Sequence, residues 1–233
     1  MRKLSIIIPV YNELKTLPNL IEKVERVVLP VEKEIIIIDD YSKDGTREWL
    51  HEVRDKYRIV LKEKNGGKGS CLKRGIQEAT GDTIIFQDAD LEYDPEDYLA
   101  MIQPILDGRT EVTLGVRKKN DHTRYKWKSP YYLASWFGNE FITWTTNILY
   151  GNKAGEYEGC YKAFTKEALN SIDIKSDGFD IDNEIVCKLL KKGYQTVDVP
   201  ISYSPRSYEG GKHIKWSDGL KILWTIVKLR LKD

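Results

Sequence analysis

The chain has 233 residues, of which 41% are hydrophobic and 31% are charged, and its formal net charge is +1. This size and composition indicate a globular protein with one large α/β domain, and the small net charge gives no bulk attraction to nucleic acid. The three cysteines include no CxxC pair, which favours free thiols in a reducing compartment over a disulfide framework.

The hydrophobic segments predict no membrane crossing. The first apolar run, within MRKLSIIIPVYNE, is too short for a signal peptide and is broken by Pro9. The chain contains no stretch of about 18 uninterrupted apolar residues, so we expect no membrane span.

The first half alternates between short β-branched apolar runs and amphipathic helical patterns. Continuous apolar runs are typical of strands buried on both faces of a parallel sheet. The predicted strands cover 4–10, 34–40, 58–61, 82–86 and 111–116. The predicted helices cover 16–28, 45–57 and 68–79, followed by one that begins at Asp94-Pro95 with Asp94 as N-cap. Repeated strand–helix–strand units predict an open α/β sheet with helices on both sides.

The second half is more varied and begins with a segment rich in Trp and Tyr. Its predicted elements are the aromatic segment 125–150, the motif GCYKAF at 159–164, a helix near 181–192, a strand at 196–203, a glycine-containing loop at 204–216 and a helix at 218–232. No internal repeat or linker interrupts the chain, so we predict one domain covering 1–233.

Four carboxylates follow the fourth predicted strand at two-residue intervals: Asp88, Asp90, Glu92 and Asp94. If the chain continues extended, the first three project to one side and offer the oxygen ligands that Mg²⁺ or Mn²⁺ prefers. In open α/β sheets, ligands bind beyond the carboxyl ends of the strands, where this cluster is expected. A solvated acidic turn is the alternative, and it suits Asp94 as a helix N-cap.

Five motifs occur in order on alternating elements: IIIPVYNE, IIIIDDYSKDGT, NGGKG, IIFQDADLE and GVR. In combination they resemble the family 2 glycosyltransferases, which have the GT-A fold. The downstream motifs GCYKAF, VDVPISYSPRSYEGGK and WSDGLKILWTIVKLR resemble the branch of dolichyl-phosphate mannose synthase and other polyprenyl-phosphate glycosyltransferases. The resemblance covers essentially the whole chain. It implies a mostly parallel Rossmann-like sheet, with a nucleotide-sugar-binding half (1–118) and an acceptor- and membrane-facing half (119–233).

The resemblance also implies roles for individual residues. Those expected to bind the nucleotide are Pro9, Tyr11, Glu13, Ile38, Asp40, Asp88 and Ala89. Asp90 and Glu92 are the expected metal ligands, and the expected catalytic residues are Asp90, Arg117, Arg206 and Lys212. Many relatives carry Gln where this chain has Glu92, so its metal affinity or preference is expected to differ. Many also carry Asp near the position of Glu156.

Several of these residues have simpler interpretations. Tyr11 could pack at a strand end, and Glu13 could begin a helix, where its charge suits the positive end of the dipole. The loop 204–216 could be a basic surface loop rather than a glycine-hinged lid that brings Arg206 and Lys212 over a diphosphate. The NGGKG segment lacks P-loop spacing, so we predict a helix-entry turn there.

The last predicted helix has the pattern of a helix lying on a membrane surface. Its polar face carries Lys221, Thr225, Lys228 and Lys232, and apolar residues including Trp224 fill nearly all the rest. The aromatic segment 131–150 could form a second such helix. The alternative is that both helices pack on each other or on a second subunit, so a homodimer remains open. Three basic residues before the aromatic segment would suit an acceptor phosphate: Arg124, Lys126 and Lys128.

These features together predict a metal-dependent inverting enzyme peripheral to the cytoplasmic face of the membrane. It would move a hexose, mannose or glucose, from a GDP- or UDP-sugar to dolichyl or polyprenyl phosphate, with Mg²⁺ or Mn²⁺ as cofactor. The first alternative is a family 2 glycosyltransferase that acts on a saccharide or another hydroxyl acceptor. The second is a non-catalytic module that binds a nucleotide sugar.

Overall fold

The computed structural model describes residues 2–117, 130–205 and 216–231, with side chains for 2–117, 136–205 and 217–231. Within these ranges, seven strands form one sheet: β1 (Lys3–Val10), β2 (Glu32–Asp39), β3 (Arg58–Leu61), β4 (Thr83–Phe86), β5 (Val112–Arg117), β6 (Lys162–Thr165) and β7 (Thr196–Ile201). The helices are α1 (Leu17–Arg26), α2 (Thr46–Glu52), α3 (Lys68–Glu78), α4 (Tyr98–Leu106), α5 (Pro130–Tyr150), α6 (Lys166–Asn170), α7 (Ile181–Lys191) and α8 (Trp216–Leu231).

The strand order is β3-β2-β1-β4-β6-β5-β7. Of these seven described strands, β6 alone runs antiparallel to its two neighbours, β4 and β5, and the other pairs are parallel. The predicted mostly parallel sheet flanked by helices is therefore confirmed. The antiparallel insertion of β6 was not predicted, because local apolar periodicity does not encode which strands become neighbours.

The core lies on both faces of the sheet. Ile6 and Ile8 pack in one apolar cluster, and Ile7 between them packs in the other. In β2, Ile37 packs in the first of these clusters and Ile36 packs in the second. Successive strand side chains point to opposite faces, so burial on both sides requires the continuous isoleucine runs seen in the sequence.

Several predicted element ends differ from the structure. Helix α2 stops at Glu52 rather than 57, and β7 ends at Ile201 rather than 203. Asp94 does act as an N-cap, since its side chain accepts a hydrogen bond from the Glu96 N–H at 3.2 Å, but it caps a short 3-10 turn, Pro95–Asp97, that leads into α4. Short helices end where tertiary contacts stop supporting them, which a periodic pattern does not reveal.

The carboxylate of Glu34 in β2 links that strand to the beginning of β1 and to the residues just before β4. It accepts hydrogen bonds from the Thr80 N–H at 2.7 Å, the Gly81 N–H at 3.1 Å and the Ser5 hydroxyl, and it pairs with Lys3 at 3.0 Å. Burial alone would raise its pKa, but these donors outweigh burial and lower the pKa of Glu34 to about 2. The ionised form therefore stabilises the folded state.

We expect Glu34→Gln to lower the free energy of unfolding at pH 7 by about 1–2 kcal/mol, a value reduced for the partial exposure of the site. The unfolded carboxyl takes up its proton near pH 4.3, whereas the folded one does so only near pH 2. The stabilisation is therefore present above about pH 4.5 and disappears as the pH falls towards 2. Urea unfolding at pH 7 and pH 2.5 measures it. Glu22→Gln, which alters an exposed pair with Arg26, is the control and should change stability by less than about 0.5 kcal/mol.

Candidate active site

The loops after β1 and β2 meet at the carboxyl edge of the sheet, as predicted. The Asn12 N–H donates to the Ser42 hydroxyl at 2.8 Å, and the Lys43 N–H donates to the Asn12 side-chain oxygen at 2.8 Å. The Glu13 N–H donates to the Thr46 hydroxyl at 3.2 Å. These bonds hold the two predicted nucleotide-binding loops together.

Among the residues that the structure describes, three non-glycine residues have a left-handed backbone, and each of them follows a strand end at this edge: Asn12 (φ 56°), Tyr41 (φ 68°) and Leu91 (φ 61°). Residues other than glycine rarely adopt this backbone conformation, and it is unfavourable for a bulky residue such as leucine. Local backbone strain of this kind occurs more often at ligand sites than elsewhere. Its concentration here agrees with the predicted position of the site.

Pro9 and Ile38 lie opposite each other in the register of β1 and β2. Ile38 is fully buried in the core, while the Tyr11 side chain is 41% exposed beyond the strand end. The carboxylate of Glu13 accepts the Thr16 hydroxyl at 2.7 Å at the start of α1, which agrees with the simpler helix-start interpretation. Their contacts with a nucleotide stay predictions.

Asp40 organises the glycine segment before α3. Its carboxylate accepts the N–H groups of Gly66 at 2.9 Å and Gly67 at 2.7 Å, and it pairs with Lys62. The predicted helix-entry turn is thus present, with Gly67 at φ 88° and α3 starting at Lys68. Asp40 holds this turn in place, and its predicted contact with a nucleotide stays a prediction.

Lys68 connects the turn to the acidic loop after β4. Its ammonium lies 2.8 Å from the Asp88 carboxylate and 3.6 Å from that of Asp182 in α7. Burial alone would raise the pKa of Asp88, but the Lys68 ammonium outweighs it and lowers the pKa. The sequence indicated only that Lys68 could approach a nucleotide; the structure places it beside predicted nucleotide-binding residues.

A buried lysine near this site was missed by the sequence analysis. Lys162 of β6 is 1% exposed, and its ammonium donates to the Gly159 carbonyl and lies 3.5 Å from the Asp182 carboxylate. Nearby, Asn183 donates to Glu158 at 3.1 Å. Burial raises the pKa of Glu158 in spite of the opposing charge of Lys162. The sequence contained one signal for it, a lysine between apolar residues of a strand. Such a lysine is expected to be buried, and a buried ammonium needs polar or charged partners.

The acidic loop itself does not continue as an extended strand. Strand β4 ends at Phe86, the chain turns at residues 89 and 90, and Leu91 is left-handed. Alternation along a strand therefore does not place Asp88, Asp90 and Glu92 on one side. Instead, Ala89 is buried in the core, and Asp90 accepts the Glu92 N–H at 3.1 Å across the turn.

Within the described ranges, no group of three or more His, Cys, Asp or Glu side chains is arranged to hold a metal ion. The donor chemistry of Asp90 and Glu92 nevertheless fits a hard divalent cation, because both offer carboxylate oxygens. Mg²⁺ is commonly held by one or two carboxylates together with substrate phosphates and water. A pair of carboxylates is therefore compatible with a metal that binds along with a nucleotide diphosphate.

Arg117, at the end of β5, is buried and paired with Glu156. The Arg117 Nε donates to Glu156 Oε1 at 2.8 Å, and its backbone N–H donates to Oε2 at 3.1 Å. The guanidinium carbon also lies 4.8 Å from the ring centre of Tyr203. Glu156 thus fixes Arg117 at this edge, and the predicted contact of Arg117 with a diphosphate stays a prediction.

Five predicted site residues lie outside the described part of the chain: Arg124, Lys126, Lys128, Arg206 and Lys212. Lys232, predicted on the polar face of the last helix, lies outside it as well. The residues that flank the two segments containing those five are described on both sides. Helix α5 begins at Pro130 and borders a small cleft next to Arg117 and Glu156, and β7 leads to Tyr203 beside Glu92.

Helices α5 and α8 contact each other and together expose apolar side chains. Tyr150 donates its hydroxyl hydrogen to the Ile226 carbonyl at 2.8 Å, and Ile222 and Ile226 are buried against Ile142 and Cys187. The remaining apolar surface, here called the α5–α8 surface, has members that are each more than half exposed: Phe137, Phe141, Trp144, Ile148, Leu220, Trp224 and Leu231. None of the helices in the described ranges has the length and apolar content needed to span a bilayer.

Lys221 and Thr225, which were expected on the polar face of α8, contact protein. Both reach the carboxylate of Asp180, Lys221 at 2.8 Å and Thr225 at 3.1 Å. The predicted packing on protein therefore holds for the side of α8 that carries Lys221 and Thr225. The exposed apolar residues of α8 belong to the α5–α8 surface.

Comparison with known proteins identifies the family. Residues 5–172 match the family model described as glycosyl transferase family 2. A dolichol-phosphate mannosyltransferase of Pyrococcus furiosus is 28% identical over 207 residues, which cover 88% of this chain and 57% of that protein. An undecaprenyl-phosphate 4-deoxy-4-formamido-L-arabinose transferase of Proteus mirabilis is 26% identical over 219 residues, covering 91% and 63%. The chain thus spans about three fifths of the length of these relatives.

Solved structures agree on the fold. Glucosyl-3-phosphoglycerate synthase from Mycobacterium tuberculosis, in complex with Mn²⁺, UDP and phosphoglyceric acid, superposes with a TM-score of 0.71 at 16% identity, covering 100% of this chain and 80% of that one. The same enzyme with Mg²⁺ and UDP gives a TM-score of 0.68 at 18% identity, covering 98% and 79%. The resemblance seen in the sequence motifs is confirmed: the chain belongs to glycosyl transferase family 2.

Proposed function

We propose that this protein is a metal-dependent inverting glycosyltransferase that moves a hexose, mannose or glucose, from a GDP- or UDP-sugar to dolichyl or polyprenyl phosphate. Family membership and the named relatives support the general class. One structural observation carries the choice of a phosphate acceptor: four carboxylates in the second half of the chain that would otherwise be candidates for a general base, Glu156, Asp180, Asp182 and Glu184, are each paired with a cation.

The pairing of Asp180 and Glu184 makes both of them poor bases. Burial would raise their pKa values, but Lys221 and Ser176 lower the pKa of Asp180, and Lys188 with the 175–176 backbone lowers that of Glu184. An efficient general base has a pKa near the working pH. Asp182 lies between two lysines, and Glu156 is bound to Arg117.

A phosphate acceptor removes the need for such a base. A sugar hydroxyl must lose a proton during attack, whereas a phosphate monoester has a second pKa near 6 and arrives ionised at neutral pH. Its oxygen forms the bond to the anomeric carbon from the face opposite the leaving group. The bond to the nucleoside diphosphate breaks at the same time, which inverts the configuration.

The protein's own groups would bind and orient the reactants. Asp90 and Glu92 would hold Mg²⁺ or Mn²⁺, which supplies charge neutralisation to the departing diphosphate when bound. Arg117 would add a fixed positive charge at the same edge, oriented by Glu156. We propose that Arg124, Lys126 and Lys128 hold the acceptor phosphate, since they come just before α5, which borders the cleft beside Arg117.

The function is tested by a donor screen. GDP- and UDP-linked mannose and glucose, radiolabelled in the sugar, would be incubated with Mn²⁺ and with polyprenyl phosphate present or absent. We expect label in the organic phase for one donor, and only when the lipid phosphate is present. Transfer only to a water-soluble saccharide would contradict the proposed acceptor.

One observation favours the second candidate, a hydroxyl acceptor. Burial raises the pKa of Glu158, and a carboxylate with a raised pKa is a stronger general base than an ordinary one.

Glu158→Gln separates the two acceptor classes. With a phosphate acceptor we expect turnover to fall less than about 10-fold, because no proton needs to be removed. Loss of a general base would cost roughly 10²–10⁴-fold. The measurement is steady-state turnover with saturating donor, accompanied by a nucleotide-binding titration. A loss of about 10³-fold in a folded variant with normal nucleotide binding would make the hydroxyl acceptor the better hypothesis.

We further propose that the enzyme is peripheral to the cytoplasmic face of the membrane and that the α5–α8 surface contacts the lipid. The exposed residues of α5, Phe137, Phe141, Trp144 and Ile148, follow helical spacing and form one stripe, and α8 adds Trp224. Lys228 and Arg230 are exposed near the end of α8, where they suit anionic headgroups. Three buried free cysteines agree with a reducing compartment.

We expect a Trp144→Ser, Trp224→Ser double variant to lose at least about 10-fold in vesicle partitioning, because each buried aromatic side chain contributes on the order of 1.5–3 kcal/mol. Co-sedimentation with vesicles containing anionic lipid measures the partitioning. Val28→Ser removes an apolar side chain that is 89% exposed elsewhere and should leave binding unchanged. Unchanged partitioning of the double variant, together with its conversion from dimer to monomer, would assign the surface to a homodimer contact.

A further inference from the structure

Tyr203 connects the end of β7 to the predicted metal ligand Glu92. The Tyr203 hydroxyl donates to Glu92 Oε2 at 2.9 Å, and the next residue, Ser204, donates its N–H to the Glu92 carbonyl at 2.8 Å. Tyr203 and Tyr93 also form an isolated antiparallel bridge. Residues 203 and 204 therefore hold both the side chain and the main chain of Glu92.

Tyr203 is itself held from several directions. Its ring lies beneath the guanidinium of Arg117, 4.8 Å from the guanidinium carbon, and Arg117 is fixed by Glu156. The ring centre of Tyr93 is 5.3 Å away. One residue earlier, the Ser202 N–H donates to Asp97 Oδ2 at 2.7 Å. The Tyr203 ring is thus held by Arg117 and Tyr93, and the backbone just before it is held by Asp97.

We propose that Tyr203 is a positioning residue that orients the Glu92 carboxylate for a divalent metal ion. The proposal rests on the metal-dependent function proposed above. A glutamate side chain has several rotatable bonds, and ordering it costs conformational entropy when it binds a metal. A hydrogen bond to one carboxylate oxygen orders the side chain before the ion binds. Partners of this kind typically change metal affinity 10–100-fold when they are removed.

The test is Mn²⁺ binding, measured from the electron paramagnetic resonance signal of free Mn²⁺, with the metal alone and in separate arms with UDP and GDP. Tyr203→Phe removes the hydroxyl and keeps the ring against Arg117 and Tyr93. We expect its Mn²⁺ affinity to fall about 10-fold, the lower end of the range for such partners. This readout is independent of turnover.

The chain offers a matched control. Tyr57 donates its hydroxyl hydrogen to Glu25 at 2.8 Å, the same type of pair, and it lies before β3, at the opposite edge of the sheet. Tyr57→Phe should leave Mn²⁺ affinity unchanged. Thermal unfolding of both variants checks that the fold persists.

A double variant tests whether the effect passes through Glu92. In the Glu92→Ala background, Tyr203→Phe should change Mn²⁺ affinity less than about 2-fold, because the carboxylate it orients is absent. An equal loss in both backgrounds, or an unchanged affinity in the parent background, would overturn the positioning role while leaving metal use intact. A parent protein that binds no Mn²⁺ in any arm would overturn the proposed metal dependence and this role together.

Discussion

We expect Asp90→Asn to lower turnover by about 10³-fold or more, since a metal ion contributes several kcal/mol to the stabilisation of a leaving diphosphate. The asparagine keeps an oxygen that can accept the Glu92 N–H, as Asp90 does at 3.1 Å, so the turn and the fold should persist. The charge needed to hold a divalent cation is lost. Steady-state kinetics measures the loss of turnover, and circular dichroism shows whether the fold persists.

Asp94→Asn is the matched control for this change. It makes the same substitution in the same loop, at a residue that caps the following turn through the Glu96 N–H. Asparagine caps about as well as aspartate, so turnover should stay within about 2-fold. Excess chelator should inactivate the parent enzyme to the level of Asp90→Asn. Full turnover in excess chelator would refute the metal role.

The second large effect concerns the loop 204–216. We expect Arg206→Ala and Lys212→Ala each to lower turnover about 10²-fold, the magnitude typical of removing one electrostatic donor. Both are expected to act on the diphosphate, so turnover should fall more than the affinity for the nucleoside. The comparison needs turnover at saturating donor and a binding titration with the nucleoside alone.

Arg54→Ala serves as the control for the loop variants. Arg54 is an exposed arginine next to Asp55, and its loss should leave turnover unchanged. If both loop variants also turn over normally, 204–216 is an ordinary basic surface loop. An equal loss in nucleoside affinity and in turnover would instead place the two side chains in ground-state binding.

Most of the sheet was predictable because its strands have a distinctive local pattern. The isoleucines of β1 and β2 fill both faces of the sheet, so they appear as continuous apolar runs, and β3 has the predicted bounds of 58–61. Because residues that follow parallel strands emerge at the same edge of the sheet, the sequence predicted that Tyr11, Asp40, Asp88 and Arg117 lie at that edge, and they do lie at or just after the ends of their strands. The order of the motifs along the chain was sufficient to recognise the family.

The sequence by itself therefore determined the class of fold and the family, and it predicted the edge of the sheet at which the candidate site lies. Only the tertiary structure decided that β6 runs antiparallel between β4 and β5, and that Lys162 on this strand lies beside Asp182. It alone brought Tyr203 onto Glu92, 111 positions away in the chain. The physical reason is the range of the interactions: strand burial and helix periodicity are set by neighbouring residues, whereas strand order and ion pairing depend on how distant segments pack.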